Sequence, residues 1–113
     1  AMDIENKISP EFIMLFGKVP CLKYGTPGTL DIIADLDKYI MDYDVVLLAN
    51  HGVLAVGKTV MEAYSKTLSL EMLLKTDYIS RQICGDNNTE LPEEEYQKLL
   101  KKGLANHGYH PAK

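Results

Sequence analysis

Val45-Val46-Leu47-Leu48-Ala49, then Asn50-His51-Gly52, then Val53-Leu54-Ala55-Val56-Gly57 is the stretch that decides the fold. The first five residues are apolar and bounded by Asp44 and Asn50. Continuous rather than alternating apolar character belongs to a strand covered on both faces. Asn50-His51-Gly52 interrupts it, and Val53 to Val56 resumes strand character until Gly57. Two strands joined by a polar turn place a sheet at the centre of the chain.

Outward from this pair, the local signals are helical. Thr59 with Glu62 three residues later forms a capping box. The helix behind it runs to about Cys84, with Gly85 at the C′ position. Ala63, Tyr64, Thr67, Leu70, Leu74 and Ile79 offer one face, widened by Leu68, Met72 and Leu73. At 1.5 Å per residue this helix is roughly 37 Å long, which suggests packing on more than this chain supplies. After the polar loop at 86–89, Pro92 opens a last helix. Glu93, Glu94 and Glu95 lie in its first turn, Lys98, Lys101 and Lys102 near its end, and Gly103 after it.

Upstream, Thr29 caps a helix expected to reach about Met41, with Leu30, Ile33, Leu36 and Ile40 on one stripe. Gly25-Thr26-Pro27-Gly28 is a turn, and Val19 to Tyr24 reads as a short strand. Pro10 and Gly17 suit the two ends of a short helix around Phe12-Ile13-Met14-Leu15-Phe16. The opening residues are polar and lack a period, and Ala1 before Met2 reads as a tag remnant. The expected order is helix, strand, helix, strand, strand, helix, helix, with residues 1–103 as one unit and 104–113 as a flexible tail. Three short strands are few for a sheet covered on both faces, so the sheet reads as incomplete.

Composition fits one ordinary globular domain: 113 residues, 46 % hydrophobic, 25 % charged, net charge −4. The pI of about 5.3 and the lack of a basic stretch beyond Lys101-Lys102 argue against a nucleic-acid surface. No apolar run approaches the ~20 residues of a membrane span. Cys21 and Cys84 lie far apart without CxxC spacing, as expected of reduced, buried thiols in a cytoplasmic protein.

His51 is the residue most able to carry chemistry. It follows an apolar strand, and Gly52 leaves room for an approaching ligand. Neutral imidazole is the commonest metal ligand. The ordinary explanation is a strand-end histidine bonded to a backbone carbonyl. A catalytic zinc takes about three protein ligands, and no histidine precedes His51. His107 and His110 read as a solvated pair in the tail. Asn50 reads as a turn residue, and Gly25 to Thr29 as a turn with a helix cap rather than a phosphate loop.

The block from Val45 to Thr59, followed by Glu62-Ala63, resembles the signature of the class II aldolase/adducin family. Gly17-Lys18-Val19-Pro20 and Tyr24-Gly25-Thr26-Pro27-Gly28-Thr29 resemble the stretch that precedes it there, in the same order and spacing. The likeness covers Pro10 to Leu100 and is greatest to the L-fuculose-phosphate aldolases. It implies an α/β fold: an α/β/α sandwich with a mainly antiparallel sheet flanked by helices, in homotetramers with active sites between subunits. It also implies a zinc held by three histidines. Two come from an H-x-H pair in the first half of the family sequence, and the third maps to His51. The catalytic glutamate and phosphate-binding residues of the family also belong to that first half and have no counterpart here.

By this resemblance the chain is the C-terminal half of such an enzyme, and inactive alone. The implied reaction is retro-aldol cleavage of L-fuculose 1-phosphate or a similar sugar phosphate to dihydroxyacetone phosphate and an aldehyde. Pro27 falls where the family places a residue near the aldehyde pocket. Sister chemistries are a pentulose-phosphate 4-epimerase and a thiosugar-phosphate dehydratase. An adducin-like association module without metal is the non-enzymatic alternative. Partners implied are a phosphorylated sugar and either further copies of the chain or a complementary N-terminal half. The helix after Thr59 and the apolar run from Phe12 to Phe16 are both expected to leave apolar surface exposed.

Overall fold

The structure, a computed structural model, describes residues 2–85 and 89–107. The elements are β1 (Ile4–Glu5), α1 (Pro10–Leu15), β2 (Lys18–Val19), β3 (Cys21–Leu22), β4 (Val45–Leu48), β5 (Gly52–Ala55), α2 (Val60–Cys84) and α3 (Glu93–His107). β1 and β2 form an antiparallel ribbon. The central sheet has the order β3-β4-β5, with β3 parallel and β5 antiparallel to β4.

The pleat of β4 divides the core. Val45 and Leu47 join Phe12, Phe16, Val19 and Leu70 on one side; Val46 and Leu48 join Leu22, Tyr43, Leu54 and Leu100 on the other. Helices therefore cover both faces of a three-stranded sheet, a partial α/β/α sandwich.

The locally coded ends hold. Ser9 caps α1 by accepting the Phe12 N–H, Pro10 occupies its first turn, and Gly17 follows it at φ 63°. α2 begins after Thr59, whose Oγ1 accepts the Glu62 N–H, and ends at Gly85. Glu62 closes the box on the Lys58 N–H, one residue earlier than the standard pattern.

Several expectations are corrected. The strand at 19–24 is split by Pro20, which has no N–H to place in a ladder; its carbonyl instead accepts the Leu47 N–H. The helix from Thr29 to Met41 is two short 3₁₀ turns, Leu30–Ile33 and Leu36–Lys38. The β-branched and aspartate residues there are poor helix formers. Leu30 and Ile33 of the expected stripe are exposed.

Phe12, Ile13 and Phe16 are buried under α2 and α3, so this run leaves no apolar surface. α2 buries Leu70 with Leu73 and Leu74, while Tyr64, Leu68, Met72 and Ile79 face away. Cys84 is exposed at the end of α2 and Cys21 half-buried, so neither is a core thiol. α3 does not stop at Gly103 but continues to His107. Gly103 is an interior helix residue lying against the backbone of Met14 in α1. His110 lies outside the described residues.

One buried polar residue pins the N-terminal segment. Asn6 accepts the Ile8 and Ser9 N–H groups through Oδ1 and donates through Nδ2 to Asp77 of α2. No helix among the described residues is long and apolar enough to cross a membrane.

Candidate functional site

The parallel register Cys21↔Leu47 and Leu22↔Leu48 makes β3 and β4 end together. The segment Lys23 to Thr29 leaves the sheet beside the turn Ala49-Asn50-His51. Both lie at the carboxyl ends of parallel strands, where open α/β sheets bind ligands.

The hairpin turn is built for its sequence. Leu48 pairs with Gly52, leaving three residues in the loop. Asn50 sits at φ 59°, a left-handed conformation that asparagine tolerates better than most residues. The His51 N–H donates to the Leu48 carbonyl at 3.0 Å, so the backbone closes the turn and the imidazole is solvent-exposed. Nothing lies within 4 Å of where a Cβ on Gly52 would stand, so the approach to His51 past it is open.

Beside this turn is an open groove of about 330 Å³ lined by Leu22, Lys23, Tyr24, Gly25, Asp31 and Asp35, among others. Gly25 makes the groove possible. A Cβ there would stand 2.3 Å from the backbone carbon of Asp31, so only glycine lets the loop close on the 3₁₀ turn. Thr29 fixes that turn, accepting the Asp31 N–H and donating to the Thr26 carbonyl. Hydrogen bonding from Lys38 holds Asp35 below its ordinary carboxylate pKa.

His51 and Pro27 thus emerge at one end of the sheet, both exposed, and neither lines the groove. Lys23 and Asp35, which do, escaped the sequence reading; the signal for Lys23 was its place directly after a strand that proves parallel.

A zinc requires more than this. Among the described residues no three His, Cys, Asp or Glu side chains stand close enough to hold a metal ion. The residues present do not form a zinc site, and His51 is at most one donor of a larger set.

Residues 1–78 match the family described as Class II Aldolase and Adducin N-terminal domain. The chain belongs to the class II aldolase and adducin family. It is 32 % identical over 84 residues to an L-fuculose phosphate aldolase of Methanococcus maripaludis, covering 74 % of this chain and 46 % of that protein. It is 35 % identical over 94 residues to a 3-oxo-tetronate 4-phosphate decarboxylase of Pectobacterium atrosepticum, covering 79 % and 43 %. The fold matches that of a solved L-fuculose 1-phosphate aldolase with a TM-score of 0.71 at 23 % identity, over 88 % of this chain and 46 % of that one. The chain spans about half the length of the curated relatives it matches.

Proposed function

We propose that this chain supplies the C-terminal portion of a lyase that breaks a carbon–carbon bond in a small phosphorylated sugar or sugar acid, and that His51 is its contribution to a zinc site completed by other residues. The carrying observation is the exposed imidazole at the carboxyl end of β4, beside the groove-forming segment after β3, in a chain of this family.

The two relatives fit one reaction type. Retro-aldol cleavage and decarboxylation of a 3-oxo acid both break the bond once removed from a carbonyl. Both leave the electron pair as an enolate, which an active site must stabilise. We read L-fuculose 1-phosphate or a similar phosphate as the substrate class. Pro27, on the segment flanking the groove, is placed to border the end of the substrate remote from the metal. The group that moves the proton is not among this chain's residues, so the 113-residue chain alone has no turnover.

The test compares the chain alone with the chain joined behind an N-terminal half of a family member. Zinc is measured by elemental analysis. Turnover is assayed on L-fuculose 1-phosphate and a 3-oxo-tetronate 4-phosphate, with ribulose 5-phosphate reporting epimerisation. The joined chain is expected to hold zinc and lose it in His51→Ala. Undiminished zinc in His51→Ala, or turnover by the 113-residue chain, would refute the reading. Absence of metal and turnover in the joined chain would favour a non-enzymatic association module.

A further inference from the structure

α2 is apolar on two opposite faces. One carries Leu70, Leu73 and Leu74 into the core. The other carries Met61, Tyr64, Leu68, Met72, Ile79 and Ile83, all exposed. With Lys75 these positions advance along the chain by steps of three, four, four, three, four and four. That is two turns of an eleven-residue repeat, whose period of about 3.67 residues nearly matches a straight α-helix. The stripe therefore does not wind around α2; it runs straight for about 33 Å.

We propose that this stripe is the interface of a homodimer in which two α2 helices pack antiparallel about a two-fold axis at Met72. Three observations select a second copy of this chain. The first is self-complementarity. Met61 and Ile83 lie eleven residues on either side of Met72, and Tyr64 and Ile79 lie eight and seven. An antiparallel pair sets Met61 against the partner's Ile83 and Tyr64 beside the partner's Ile79, while Met72 meets its own copy.

The second is charge. Lys75 is the single charged residue in the stripe, and Glu71, its ion-pair partner at 3.0 Å, lies on the same flank. In antiparallel packing each Lys75 comes beside Glu71 of the other helix. Parallel packing would oppose the two lysines.

The third is area. Met61, Met72 and Ile83 are 69 %, 71 % and 78 % exposed, and the other three about half. Together the six side chains present on the order of 700 Å² per copy, close to the ~800 Å² that each partner gives to a standard specific interface. This pairing is independent of the chemistry at His51.

The experiment is sedimentation equilibrium on the 113-residue chain and on Met72→Glu and Met72→Lys, with far-UV circular dichroism confirming the helix in each. Met72 is exposed, so neither substitution disturbs the core. The wild-type chain is expected to be a dimer. Each variant alone should dissociate about 100-fold more readily, because it sets like charges face to face. An equimolar mixture of the two variants should regain the dimer, because only a two-fold at this position pairs residue 72 with itself. A monomeric wild type, a dimer indifferent to Met72→Glu, or a mixture that stays monomeric would each overturn the proposal. So would a monomeric chain that captures a family N-terminal half through Met72, since the stripe would then belong to that half.

Discussion

Gly103→Ala is expected to destabilise the chain, against the usual effect of that change in a helix. In a helix interior, alanine is more favourable than glycine by about 1 kcal/mol. Here a Cβ would stand 2.2 Å from the Met14 carbonyl oxygen and 2.9 Å from its Cα. These are backbone atoms, and they cannot rotate aside. α1 and α3 would have to separate by about 1 Å, and overpacking of this kind costs roughly 1–3 kcal/mol. Cost at the upper end, reduced by the propensity gain, leaves a net loss of about 1–2 kcal/mol. Urea unfolding reads this as a lower midpoint at unchanged slope. Gly103→Asn separates this packing role from the helix-stop role that the sequence suggested. At a C′ position asparagine is the better substitute for glycine. At a helix crossing it is the worse one, being larger than alanine. A stabilised Gly103→Ala, or Gly103→Asn more stable than Gly103→Ala, would show that α3 does not cross α1 at this residue.

Two further outcomes follow from polar contacts. Asn6→Ala removes the acceptor of two N–H groups and the donor to Asp77, and is expected to cost about 2–3 kcal/mol in the same unfolding measurement; a change below about 0.5 kcal/mol would mean that water replaces the side chain at no cost. Stability should also fall on acidification. The Lys66 ammonium hydrogen-bonds Glu62 and holds its carboxyl below the ordinary value of 4.5. A depressed folded-state pKa contributes stability above the unfolded value, lost as pH falls through the folded one. Glu62→Gln should flatten the decline below pH 4.5, and a pH–stability curve identical to wild type would remove Glu62 from the account.

What could be read from the sequence was what neighbouring residues settle among themselves. Thr59 and Glu62 mark the start of α2, Gly85 its end, and Asn50-His51-Gly52 the hairpin turn, because caps and turns are made within a few residues. The 3.6-residue period could not choose between the two apolar faces of α2; only the sheet decides that Leu70 goes in and Met72 stays out. Asn6 lay in a stretch with no period, and its value depends on Asp77, seventy-one residues away. The site divided in the same way. His51 was legible from the turn that holds it. The groove was not, because it exists only where Gly25 lets one segment close on the backbone of another.

The open side of the sheet bears directly on His51. Leu48 pairs with Gly52, and the Val56 N–H donates to the Asp44 carbonyl. By the alternation of an antiparallel ladder, Gly52 and Leu54 then bond toward β4, while Val53 and Ala55 turn their N–H groups outward. β5 is the sheet edge, and Val53 is 39 % exposed. A segment that extends the sheet there would run past Gly52 and arrive beside the imidazole, across space that no side chain fills. Completing the sheet and completing the donor set around His51 are thus one structural event. Zinc loading of the joined chain should therefore protect the Val53 and Ala55 amides from hydrogen exchange. Metal uptake that leaves those two amides exchanging freely would show that the missing donors reach His51 from another direction.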